Sequence, residues 1–192
     1  MKKTKTLTRM AVLTALSILL VALIHFPIFP AVGFLEYDPA DIPILICGFA
    51  FGPAAGLAVT AAASLIQGLT VSAQSGIYGI IMHFIATGAY VLVSSLIYRR
   101  HKTKTWALLS LVFGTAAMVF CMFGANLLVT PYFMMGSVSK DTVSAVLSLM
   151  PFILLFNFIK ASVNGFVTFL IYKKVKFLLF HEKHSEIIED KP

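Results

Sequence analysis

Three polar side chains share one face of an otherwise strongly apolar stretch. Asn157, Lys160 and Asn164 stand at i, i+3 and i+7 within residues 150–172, a spacing that stacks them along one side of a helix. Their neighbours are mostly Phe, Ile, Leu, Val and Ala. An ammonium at bilayer depth costs at least ~2.5–3.5 kcal/mol, which makes Lys160 a functional-site candidate. The plain alternative is that Lys160 snorkels to the interface and the asparagines glue helices together. The nearest basic end, Lys173, is about thirteen residues further on. That is roughly 20 Å at 1.5 Å per residue, too far to snorkel comfortably. The stripe therefore reads as ligand-facing.

Further polar residues interrupt apolar runs. Asn126, flanked by Gly124 and Ala125, must find a hydrogen-bond partner on another helix or on a ligand. His83 is a lone histidine and reads as a satisfied interhelical bond. Between residues 26 and 39 lie Phe29, Phe34, Glu36, Tyr37 and Asp38; such a segment can form a lid over a cavity, an interfacial aromatic belt, or both. No G-x-x-x-x-G-K-[ST] loop is present for ATP, and no HExxH, GxSxG or inward carboxylate pair supports catalysis. His181 and His184 lack a third ligand, so no metal is expected.

The elements that must carry these residues are membrane helices. The 192 residues are 59% hydrophobic and 12% charged, with a mean hydropathy of +0.92, which excludes an ordinary soluble domain. The net charge of +7 does not indicate nucleic-acid binding, because the basic residues cluster between apolar blocks. Cys47 and Cys121 lie within apolar segments and imply no disulfide framework. Lys2, Lys3, Lys5 and Arg9 precede an apolar run with no convincing small-x-small cleavage site, which reads as a retained first helix.

Six spans are expected, at about residues 7–24, 41–51, 53–69, 76–98, 105–130 and 143–172. Asp41 is expected to cap the second helix, and Gly52-Pro53 to turn into the third. Gly48, Gly52 and Gly56 mark close packing around that turn, a structural role. The second span is short, about 16 Å, and charge parity decides in its favour. The cluster from Arg99 to Lys104 must share a side with the basic N-terminus under the positive-inside rule. Four crossings before it, and six before Lys173, put both ends in the cytoplasm, with only Lys140 and Lys160 among the fifteen basic residues elsewhere. Glu36, Asp38, Asp41 and Asp141 then fall on the outer side. The expected architecture is an all-α integral membrane protein, a single six-helix domain over residues 1–180 with a polar cytoplasmic tail at 181–192. Ala11 and Ala15, spaced by four, form a small-residue ridge on the first helix that lets another helix approach, inside the bundle or from outside.

The run Phe34-Leu35-Glu36-Tyr37-Asp38-Pro39-Ala40-Asp41-Ile42-Pro43, followed by Gly52-Pro53-Ala54-Ala55-Gly56, resembles the substrate-binding S components of energy-coupling factor (ECF) vitamin transporters. Among these it is most similar to the riboflavin-specific subunits. Gly114-Thr115-Ala116-Ala117-Met118 with Asn126, and Pro151 with Asn157-Phe158-Ile159-Lys160, carry the same resemblance, which spans nearly the whole chain. It implies a multi-pass plasma-membrane protein that binds riboflavin, or a related small heterocycle, as transported substrate rather than as cofactor. The vitamin would enter from the outer side, partly under the first loop with Phe34, Glu36 and Tyr37. Asn126, Asn157 and Lys160 match flavin-binding positions. The implied partners are a transmembrane coupling protein, contacted through Ala11 and Ala15, and two ATP-binding subunits. The rivals from other classes are a membrane-embedded enzyme using Lys160 and His83, and a purely structural membrane protein.

Overall fold

Apolar segments punctuated by Gly, Pro and basic clusters become six helices in the computed structural model, which describes residues 2–180. They are α1 (Lys2–Leu23), α2 (Asp41–Phe51), α3 (Pro53–Leu69), α4 (Gly76–Arg100), α5 (Lys104–Met135) and α6 (Lys140–Phe180). A helix appears at each expected position. α5 and α6 outrun the apolar windows at both ends, because a flanking Lys or Asp ends a hydrophobic run without breaking a helix and because α5 continues through Pro131. Pro131 and Pro151 sit inside α5 and α6. The expected tail at 181–192 lies outside the described residues.

Four of these helices, α1, α4, α5 and α6, are long and apolar enough to cross a membrane; α2 and α3 are shorter apolar helices. The shortness of α2 has a packing reason. Every residue from Asp41 to Phe49 is buried, and α2 touches α1, α3, α4 and α6. It is the centre of the bundle and faces little lipid.

The α2–α3 turn shows why glycine is needed there. Gly52 adopts φ +97°, a conformation that side chains with a Cβ avoid. A Cβ at Gly48 or Gly56 would come within 2.7 Å of the Val91 side chain on α4. The glycines are structural, as the spacing implied.

The connection between α1 and α2 folds back on itself. Phe26–Pro27 (β1) pairs antiparallel with Glu36–Tyr37 (β2), and a 3-10 turn spans Pro30–Val32. At its tip Val32 is fully buried in a cluster with Val146, Met150 and Ile153 of α6. Phe29 meets Phe152 at 5.9 Å between ring centroids, and Phe34 meets Phe133 at 5.8 Å. The loop is thus seated on α5 and α6 by apolar contacts.

Candidate functional site

The α6 stripe faces the first loop, and the loop supplies the countercharge. Lys160 is 6% exposed and Asp38 3%; the Lys160 Nζ donates to Asp38 Oδ2 at 2.7 Å. Burial alone would raise the Asp38 carboxyl. The Lys160 ammonium, its hydrogen bond and the Ala40 N–H on Oδ1 at 3.0 Å hold it below the usual carboxylate range instead.

Asn164, one helical turn further along, joins three groups. Its Nδ2 donates to the Asp38 carbonyl and to Asp41 Oδ2, both at 2.9 Å. Its Oδ1 accepts from the Tyr37 hydroxyl at 3.0 Å. Burial and the Asp38 charge raise the Tyr37 phenol above its ordinary value, which keeps it a donor.

Asp41 departs from the sequence expectation. The N-cap of α2 is Ala40, with no side-chain capping bond. The Asp41 carboxylate is instead turned inward, where Thr87 Oγ1 donates to it at 2.7 Å. His83 Nε2 stands 3.8 Å away, and His83 Nδ1 is bonded with Ser64 Oγ at 2.8 Å. The interhelical histidine bond expected from sequence is present. Inside the bundle a buried carboxylate needs hydrogen-bond donors, and Thr87 and Asn164 supply them.

Lys160, Asp38, His83, Thr87 and Ser64 line a cavity of about 130 Å³ between α1, the loop, α3, α4, α5 and α6. Of the residues singled out in the sequence, Phe34, Glu36, Asp38, His83, Asn157 and Lys160 line it. Asn126 lines an adjoining cleft of about 70 Å³ that shares Phe34, Leu35 and Met82 with the first. Tyr37 stands behind the wall, bonded to Asn164. Both remaining carboxamides are pre-positioned by their own helices: Asn157 Nδ2 donates to the Ile153 carbonyl and Asn126 Nδ2 to the Met122 carbonyl, each at 2.8 Å. Thr130 donates to Asn126 Oδ1 at 2.8 Å.

Sequence reasoning missed Asp38, Asp41, Thr87 and Gln67 as site residues. A signal for the first two existed. A lysine buried in an apolar helix requires a buried acid, and Asp38 and Asp41 are two of the four acidic residues outside the tail. A larger hollow of about 750 Å³ lies between α5 and α6, lined by residues such as Leu108, Phe120, Phe158 and Phe166 and by no charged side chain. It suits hydrocarbon rather than a polar solute. Ala11 and Ala15 are both exposed on α1, away from the bundle interior.

The profile of the family described as "ECF transporter, substrate-specific component" matches residues 5–172. Riboflavin transporter FmnP of Bacillus subtilis (strain 168) is 28% identical over 194 residues, covering 96% of this chain and 99% of its own length. Riboflavin transporter RibU of Staphylococcus aureus (strain TCH60) is 26% identical over 177 residues, covering 91% of this chain and 92% of its own. A solved S component of a bacterial ECF transporter superposes with a TM-score of 0.76 at 26% identity, covering 93% of this chain and 99% of that one.

Proposed function

Since the chain belongs to the substrate-specific components of ECF transporters, we propose that it is the membrane subunit that captures riboflavin for uptake. The observation that carries this reading is the cavity under the first loop, where Asn157 and Lys160 present amide and ammonium groups from one face of α6. Relatives that span the same length bear the name riboflavin transporter. The pyrimidine edge of the flavin ring alternates N–H and carbonyl groups. Carboxamides of Asn157 and Asn126 complement that pattern, and Lys160 donates to a carbonyl oxygen.

The cavity of about 130 Å³ is smaller than the ~300–1,000 Å³ of most small-molecule sites. Admission of a flavin therefore requires the loop carrying Phe34 and Glu36 to lift from its seat on α5 and α6. Lys160 then exchanges Asp38 for the ligand, so a buried charge is partnered in both states.

The chain carries no phosphate loop, so energy comes from outside it. A transmembrane coupling protein and two ATP-binding subunits supply it, with the exposed Ala11–Ala15 ridge of α1 as the surface for the coupling protein. All six helices lie in the plasma membrane, both termini are cytoplasmic, and no cofactor is needed. An acid–base enzyme built on Lys160 and His83 gains no support, because the first is paired with Asp38 and the second with Ser64.

The test is direct. Detergent-purified protein should show flavin absorbance and quench riboflavin fluorescence on titration. Asn157→Ala and Lys160→Ala should each weaken binding by roughly 1–3 kcal/mol, the cost of an unpaired buried polar group. Wild-type affinity in both variants overturns this assignment of the polar face.

A further inference from the structure

The wall of the cavity opposite α6 carries one buried acceptor that the protein itself leaves unanswered. Gln67, on the last turn of α3, is 7% exposed and lines the cavity. No donor from the described residues reaches its Oε1. Buried polar groups almost always find a partner, so an orphan bordering a binding cavity is an acceptor kept for a ligand.

We propose that Gln67 recognises the polyhydroxyl chain of the ligand, accepting a hydrogen bond from one of its hydroxyl groups at Oε1. The inference rests on the riboflavin reading and assigns the end of the site that reading leaves open. Asn157 and Lys160 on α6 hold the ring edge. The cavity that Asn157 and Lys160 of α6 line is also walled by Ser64 and Gln67 of α3 and by His83 and Thr87 of α4, so a ligand gripped by α6 extends its other polar end toward α3 and α4. That side is rich in small hydroxyl-bearing residues: Ser64, Ser72 and Ser75 line it beside Gln67. Ser64 is already bonded to His83, which leaves the Gln67 oxygen as the acceptor in need of a donor.

The backbone that carries this side chain is held in place. The Gln67 carbonyl accepts from the Thr70 and Ser72 amides at 3.2 and 2.9 Å, which locks the end of α3. Next to it, a Cβ at Gly68 would run into Ile80 of α4, so the two helices are in direct contact. A buried acceptor left unpaired discriminates between a ligand that brings a hydroxyl and one that does not.

The experiment compares two flavins on two proteins. Riboflavin and lumiflavin share the ring, but lumiflavin carries a methyl group in place of the ribityl chain. Both are titrated by fluorescence quenching against wild-type protein and Gln67→Met, which keeps the volume and removes the acceptor. The expected result is about tenfold weaker riboflavin binding by Gln67→Met, with lumiflavin binding unchanged. Retained lumiflavin binding also shows that the variant is folded. Equal weakening of both flavins, or no change in either, overturns the role of Gln67 while leaving the riboflavin reading intact. Failure of the wild-type protein to bind either flavin overturns both.

Discussion

Asp38→Asn is the substitution that most directly probes the buried pair. The asparagine keeps an oxygen for the Ala40 N–H, now at 3.0 Å from Oδ1, but places no negative charge opposite the Lys160 Nζ, now at 2.7 Å from Oδ2. Breaking a buried pair by removing one partner costs about 3–5 kcal/mol, because the surviving charge stays buried. At roughly 2–4 °C per kcal/mol for a chain of this size, the apparent Tm in detergent should fall by about 6–20 °C. The double variant Asp38→Asn with Lys160→Met removes both charges. It should recover at least half of that loss, since nothing charged is then left without a partner. The sign of the pH dependence follows from the same pair. The Asp38 carboxyl is held below its ordinary value, so its contribution is present above the unfolded value near ~3.9 and is lost as pH falls through the lower folded one. Between about pH 5 and 8 the Tm difference between wild type and Asp38→Asn should therefore not depend on Asp38 titration. A fall of less than about 2 °C in the single variant, or additive losses in the double variant, would refute the argument that this pair holds the loop.

The remaining predictions concern the partner surface and the orientation. Ala15→Leu places a bulky group on an exposed small-residue ridge, so flavin binding by the isolated subunit should stay near normal while uptake and co-purification with the coupling and ATP-binding subunits are lost; normal uptake in a riboflavin-auxotrophic host counts against this surface. With Cys47 and Cys121 removed, a cysteine in the loop between α4 and α5 should be shielded from impermeant thiol reagents in intact cells, and one near Lys140 should be labelled. The reverse pattern overturns the inside placement of both termini.

Much of this molecule is legible in its sequence because the bilayer acts as a strict reader. Long apolar runs bounded by Arg99, Arg100 and Lys104 or by Gly52-Pro53 leave few choices for α3, α4 and α5, and the structure places them within a few residues of expectation. Lys160 could be singled out because buried charge is rare and expensive. Its partner was harder to find. Asp38 and Asp41 sit in a polar, proline-containing segment where acids are ordinarily solvated, and nothing local distinguishes them from Glu36. Only the fold, which lays that segment across α6, turns them inward. The β1–β2 pair escapes notice for a different reason: two residues per strand are too few to register an alternating pattern. Gln67 is hidden by position, since a glutamine at a helix end is usually a surface residue.

The contact that closes the site also has a place in the order of synthesis. Lys160 and Asp38 are 122 residues apart in sequence, and Asn164 reaches Asp41 across 123. A chain made from its N-terminus exposes both aspartates long before the last helix exists. Until α6 arrives, Asp38 lacks its cation and Val32 lacks the surface formed by Val146, Met150 and Ile153. The incoming helix in turn carries a lysine that lipid disfavours, and the waiting carboxylates give that lysine a reason to dock rather than remain at the bundle's edge. The loop therefore cannot close before α6 has been made, and a chain that ends before α6 lacks the partners of Asp38, Asp41 and Val32.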